Sequence, residues 1–551
     1  MKKVVFLLSS MLHHNLLLIF GLLFVMAMLY MLSQKLRISY PIFLVIGGLL
    51  VSFIPGTPHI SLNPDMVFTL FLPPLLYEAA WNTSWNDFWK SRRPVSLLAF
   101  GLVIFTSAII AYATTWFIPG FTLALGFLLG GIVSPPDAVA ATSVLKDLSI
   151  PKRAITILEG ESLINDASSL IVMRFAIAAI VSGQFVLHKA VGDFFLVSIM
   201  GIVIGLAVAH LFYLVFRFLP TTASIDTALS FMAPYLMYIV AEQFHFSGVL
   251  AVVSGGLFLS YRASDFFNFN SRMQGTAVWG TLVFLLNGLV FILIGLQLPL
   301  IVIALEGYSI KDAIIYGFII SAITIAVRLL WVFPAAYLPR VLSRKLKTKE
   351  TVPPPKVVFI IGWAGMRGVV SLAAALAVPI FLKDGVTPFP HRNLILFITF
   401  IVILVTLVLQ GLTLPLFIKW LKIDATNAQA SEAEQEVSLT LRMAKLSLEY
   451  LQNKYPEAIE NNQRLGSFKV QMEQLIFKCE NNDGETEEAF AQSQRTFAQT
   501  RAIYKKAMLE IIQKRRKELN ALRRQRIYDD EVVRKYESTL DLEEARIRRI
   551  N

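Results

Sequence analysis

One cysteine, Cys479, occurs in 551 residues. A lone thiol excludes an intramolecular disulfide, a CxxC redox pair and a cysteine-rich zinc cage. Charge is scarce as well: Asp, Glu, Lys and Arg make up 16% of the chain against 56% hydrophobic residues, and the mean hydropathy is +0.62. No ordinary soluble domain of this length has that balance. The phosphate-cradling pattern GxxxxGK[ST] is missing, as are any nucleic-acid fold pattern and any His or Cys cluster for a metal, so nothing points to nucleotide hydrolysis, nucleic acid or a cofactor. The apolar stretch at residues 4–32 is too long for a signal-peptide core and lacks a small-residue cleavage site, so it reads as a membrane span.

The scarcity of charge is uneven. Residues 425–551 hold 22 basic and 21 acidic side chains, whereas residues 1–424 hold only 28 and 17. Two parts follow, a membrane part at 1–424 and a soluble tail at 425–551, with almost all of the net +12 in the first. A helix needs about 20 mostly apolar residues to cross the hydrocarbon. Thirteen candidates occur, at 12–32, 40–55, 66–81, 95–118, 121–146, 153–182, 190–216, 226–243, 246–261, 277–305, 312–338, 356–382 and 392–420. Basic residues accumulate in cytoplasmic loops, and alternate loops here carry nineteen and six Lys/Arg. That asymmetry puts the N-terminus outside and the tail in the cytoplasm. A missed or split span would destroy the alternation, so it supports the count independently.

Subtracting the loop charges leaves Glu78, Asp137, Glu161, Asp166, Arg174, Arg328 and Arg367 inside spans, with Glu159 and Glu242 nearer to ends. Each costs roughly 2.5–3.5 kcal/mol on insertion scales unless it is paired or faces water. The sixth span carries the densest cluster, ILEGESLINDASSL at 157–170. At the helical period, Ser162 and Asp166 stand about 40° apart, with Asn165 flanking them and Glu161 about 140° from Asp166. A carboxylate shielded from water is stabilised by taking up either a proton or a metal cation, which is the minimum that antiport requires. Glu161 must address another neighbour, and a lone Arg328 in an apolar span needs an acid, so the two are expected to pair. Arg174, about 12 Å further along the helix than Asp166, is expected to reach the outer headgroups. Glu78 is either a second cavity acid or an end-of-helix residue.

The fifth span is interrupted by GGIVSPPDAVAAT, where Pro135 and Pro136 precede Asp137. Tandem prolines remove two amide donors and clash with the preceding turn. Such a break is tolerated at membrane depth only against protein or a cavity, and freed carbonyls in transporters coordinate cations. The twelfth span has a glycine-rich interruption, IIGWAGMRGVVSLAAA, around Arg367. Spans 1–6 and 8–13 then form two six-helix units offset by an odd number of spans, so the second is inverted, and the interruption is fifth in each. Paired interruptions of this kind point to a transporter's binding site.

With these motifs the chain resembles the sodium/proton exchanger family of monovalent cation:proton antiporters, in its bacterial NhaP-like branch. The resemblance covers residues 12 to about 420 and rests on EGESLINDASSL at 159–170, SPPDAVAAT at 134–142, GMRGVVSLA at 365–373 and PPLLYE at 73–78. It implies an all-α membrane fold of thirteen transmembrane helices, two inverted six-helix repeats with crossed discontinuous helices, and a homodimer. It implies that Asp166 binds the cation or proton, with Asn165, Ser162, Asp137 and Glu78 around it, that Glu161 and Arg328 form a structural ion pair, and that Arg367 supports the crossed helices. Where many relatives have Thr before the broken-helix Asp, this chain has Pro136, which leaves only a backbone carbonyl there. Asn beside Asp, rather than two Asp, implies electroneutral exchange of one Na+ or K+ for one H+, serving pH and cation homeostasis, with membrane lipid as the surroundings.

The tail has helical periodicity from Ala430, with Val437, Leu439, Leu441, Leu446, Leu448 and Leu451, and later Ile503, Met508, Ile511, Ile512 and Leu519. Packed amphipathic helices with a regulatory or dimer-stabilising role are expected. The basic run at 514–526 reads as a solvated face, or as a contact for anionic headgroups. Two other classes fit less well. A channel needs no repeated broken helix around one carboxylate, and an intramembrane aspartyl protease needs YD and GxGD contexts that are missing.

Overall fold

Pro135 and Pro136 bring no amide hydrogens to a helix, and in the computed structural model the helix Leu123–Val133 stops just before them and resumes as Ala138–Leu145. The structure describes residues 2–36, 38–54, 66–145, 148, 150–183, 187–305, 307–342, 352–382, 386–423, 426–480, 505–519, 521 and 530–548. The basic loop residues Arg37, Lys146, Arg344, Lys345, Lys347, Lys349 and Lys383, and the tail residues Ile503, Arg523, Arg524 and Arg526, lie outside them. Among the described residues regular structure is helical, apart from one antiparallel bridge between Phe381 and Pro388.

Each of the thirteen apolar stretches carries helix. Nine helical segments among the described residues are long and apolar enough to cross a membrane, from Leu17–Leu36 to Arg392–Trp420. The remaining four fall short for visible reasons. Tyr40–Ser52 has 13 residues, about 20 Å of helix against some 30 Å of hydrocarbon. Leu72–Asn82 is joined to a π-helical turn at Val67–Phe71. Gly248–Phe266 ends in a polar turn containing Arg262 and Asp265. The fourth is the second broken helix, which runs as Pro355–Trp363, pauses at 364–368 and resumes as Val369–Leu376.

Close helix approach explains several small residues. Leu123–Val133 lies along Val103–Phe117, and a Cβ placed on Gly130 would sit 2.6 Å from the Ser107 Cα. Small residues at such contacts let helices associate where lipid removes the hydrophobic drive between them. Lys152–Ser182 is tied on two sides by its own serines: Ser168 donates to the Ala99 carbonyl at 2.5 Å and Ser169 to the Gly131 carbonyl at 2.7 Å. That helix therefore stands fixed between Leu123–Val133 and the π-helical turn Leu97–Leu102.

The chain divides into two units, Met1–Ala425 and Thr426–Asn551. In the second, Thr426–Lys454 packs along Gln463–Glu480 with Lys445 on Glu480 at 2.6 Å. Asp530–Arg548 pairs with the helix at 505–519 through Arg515 to Glu543 at 3.2 Å and Arg516 to Glu544 at 2.6 Å. Ala444, Leu451, Ile512 and Leu540 are buried there, but Val437, Leu439, Leu446 and Ile511 are exposed, so the apolar stripe read from the sequence is only partly covered.

Candidate functional site

The two breaks meet each other. The Asp137 amide donates to the Met366 carbonyl at 2.7 Å, so the linker of one broken helix is bonded to the linker of the other. A helix that stops inside a membrane leaves carbonyls without donors at its C-terminal end and amides without acceptors at the next N-terminal end. Two fully buried arginines supply the missing donors. Arg367 donates to the Val133 carbonyl at 2.9 Å, to the Ser134 carbonyl at 3.2 Å and to the carbonyl of Gly365. Arg328 donates to the Gly362 and Ile361 carbonyls, both at 3.1 Å. Each half-helix that ends at a break thus has a guanidinium at its negative pole, the favourable sign for the helix dipole.

The second half-helices present the opposite pole. Asp137 caps its own, accepting from the Val139 amide at 2.8 Å. Gly368 begins the other, and a Cβ there would collide with the Asp137 carboxylate. One carboxylate therefore lies at two N-terminal ends, where negative charge is stabilised.

Arg328 also binds Glu161 through both carboxylate oxygens, at 2.5 and 2.9 Å, and the pair is excluded from solvent. The four carbonyl and carboxylate contacts leave neither charge unsatisfied, which is the condition under which a buried ion pair is tolerated.

Asp166 is treated differently. It is 7% exposed, and among the described residues no hydrogen bond or ion pair reaches its carboxylate. It lines a cavity of 630 Å³ together with Asp137, Ser162, Pro136, Glu78 and Glu159. Asn82, Asn287 and Ser371 add polar groups to the wall, and Asn82 donates to Glu78 at 2.6 Å. Ser162 accepts from the Ala138 amide at 3.1 Å, which leaves its hydroxyl hydrogen and one lone pair for the cavity.

Asn165 does not line this cavity. It is fully buried, its amide nitrogen donates to the Pro136 carbonyl at 2.9 Å, and its oxygen has no partner among the described residues. The freed carbonyl at the tandem prolines is thus held by Asn165. Glu161, Arg328 and Arg367 also lie away from the cavity wall and build its frame. Arg174 binds Glu242 at 2.6 Å instead of extending alone to headgroups. Glu159, which the sequence places near a span end, joins the cavity wall; seven residues before Asp166, it falls within about 20° of it on the helix.

A family model described as "Sodium/hydrogen exchanger, transmembrane" matches residues 21–420. An uncharacterized Na+/H+ exchanger of Mycobacterium tuberculosis (strain H37Rv) is 30% identical over 542 residues, covering 96% of this chain and 97% of the exchanger. The sodium, potassium, lithium and rubidium/H+ antiporter of Bacillus subtilis (strain 168) is 34% identical over 388 residues, which span 69% of this chain and 58% of that antiporter. Among solved structures, the sodium proton antiporter MjNhaP1 of Methanocaldococcus jannaschii aligns with a TM-score of 0.58, covering 73% of this chain and 99% of that one. At 20% identity that likeness is one of fold.

Proposed function

The chain belongs to the sodium/hydrogen exchanger family, and from that premise we propose that it is a multi-pass membrane transporter, not an enzyme, that exchanges Na+ or K+ for H+ at Asp166. One observation carries the reading: Asp166 is the buried cavity acid to which, among the described residues, the protein offers no hydrogen-bond donor or cation. A desolvated carboxylate left without a partner must be neutralised by something that enters. A proton and a monovalent cation both serve, and one carboxylate holds one of them at a time. Alternate loading then gives one-for-one, electroneutral exchange.

Ser162, the backbone around Pro136 and Glu78 complete the cation's surroundings in this proposal, and Asp137 with its two helix ends sets the local field. Asn165 orients the Pro136 carbonyl. The thirteen helices form two inverted six-helix repeats, and the core carrying the crossed breaks moves against the remainder to alternate access. The nineteen-to-six charge asymmetry supports a cytoplasmic tail and an external N-terminus in the inner membrane. Homodimers in lipid are the working form, and the tail at 425–551 regulates them or stabilises the dimer.

The test is cation-driven proton movement in proteoliposomes followed with a pH dye. Addition of Na+ or K+ to wild-type vesicles is expected to move protons, Asp166→Asn vesicles are expected not to, and clamping the voltage is expected to leave the rate unchanged. Current without proton movement would instead identify a channel.

A further inference from the structure

A second cavity, of 390 Å³, lies apart from the one that holds Asp166. It falls in the size range of ligand-holding pockets, roughly 300–1,000 Å³. Its walls are apolar, with Leu98, Ile157, Val332 and Ile361 facing it from four different helical segments. Arg93, Arg153, Lys356 and Lys422 also line it, and among the described residues no acid does. Each of these four basic side chains belongs to an exposed position at the end of a helix or beside it. All four come from the basic-rich set of loops, so they share one side of the membrane.

We infer that this cavity is a binding site for an anionic phospholipid, with acyl chain against the apolar walls and headgroup among Arg93, Arg153, Lys356 and Lys422. The chemistry excludes the simpler ligands. A small inorganic anion would gain nothing from the apolar walls, and a neutral hydrocarbon would gain nothing from four cations. A molecule that satisfies both halves is amphiphilic and negatively charged, and at a membrane surface the abundant species of that kind is a phospholipid. Basic pockets between membrane helices on the cytoplasmic side hold such headgroups, and each Lys or Arg near an anionic surface adds an attraction.

The seat has a structural consequence. Ile361, in the wall, gives its carbonyl to Arg328 at 3.1 Å, and Ile157 lies one turn before Glu161 on the helix that carries Asp166. A lipid in the cavity therefore bridges Lys152–Ser182, Ile310–Leu342 and Pro355–Trp363 beside the Glu161–Arg328 pair, and its binding stabilises their packing. The inference needs only the membrane location, so its test reads binding and stability and leaves cation exchange aside.

The full-length protein is extracted from membranes and exposed in detergent to phosphatidylglycerol, phosphatidylcholine or oleate. Retained lipids are counted by native mass spectrometry, and thermal unfolding is followed alongside. The wild type is expected to retain one phosphatidylglycerol in preference to phosphatidylcholine and to unfold at a higher temperature with it. Lys356→Gln with Lys422→Gln is expected to weaken that retention about fivefold per charge, or about 25-fold in all, while unfolding like the lipid-free wild type. Ala335→Trp, which fills the cavity without touching the rim, is expected to lose the lipid too. Equal retention of phosphatidylcholine, unchanged retention in the rim variant, or a preference for oleate over phosphatidylglycerol would each overturn the assignment.

Discussion

Among the buried ionisable side chains, partners separate frame from site. Glu161, Arg328 and Arg367 are satisfied by named oxygens or nitrogens, whereas Asp166 is not. Removing one half of a buried pair leaves an uncompensated charge, so Glu161→Gln and Arg328→Gln are each expected to cost about 3–5 kcal/mol. The double substitution is expected to cost less than the sum, read as thermal unfolding in detergent. A strictly additive result would mean the pair is not coupled. Glu159, on the Asp166 face and in the same cavity, is expected to attract the cation without being obligatory. Glu159→Gln should raise the apparent KM for Na+ several-fold with turnover retained. Residue identity was legible in the sequence where chemistry forced it: an arginine in an apolar span needs an acid, and Glu161 faced away from Asp166. What Asn165 would hold was not legible, since turning from the cavity toward the Pro136 carbonyl depends on where the broken helix passes.

At the scale of elements, the breaks were legible and their joining was not. Tandem prolines and a glycine cluster announce interruptions in any helix. That Arg367 would reach Val133, 234 residues away in sequence, follows only from the crossing of the two linkers. Gly368 makes this testable, because even one methyl group there meets the Asp137 carboxylate. Gly368→Ala is expected to reduce exchange at least tenfold, whereas Gly275→Ala, which meets open space, is expected to leave it unchanged. Equal activity of the two variants would mean that the Asp137–Gly368 approach is not part of the working site. The three short π-helical turns, at Val67–Phe71, Leu97–Leu102 and Thr406–Gln410, left no sequence signal that periodicity could register. In the third of them, Thr406 accepts from the Arg367 amide at 3.2 Å.

For the whole molecule, composition alone divided membrane part from tail, because the hydrocarbon and water select opposite residue types. The tail's function was less legible: its apolar stripe is half covered within its own unit, with Leu439 and Leu446 exposed, and a pattern of apolar residues does not say what covers them. Deletion of residues 430–551 is expected to leave exchange in place and shift its pH profile, and an unchanged profile would remove the regulatory role. The central claim, that one carboxylate is loaded either by a cation or by a proton, is tested most directly by the apparent KM for Na+ and K+ in wild-type proteoliposomes across a pH series. Direct competition at a single site predicts that KM rises about tenfold per unit as pH falls below the carboxyl's own titration, with maximal rate retained at saturating cation. A KM indifferent to pH, or competition that survives Asp166→Asn, would contradict the account.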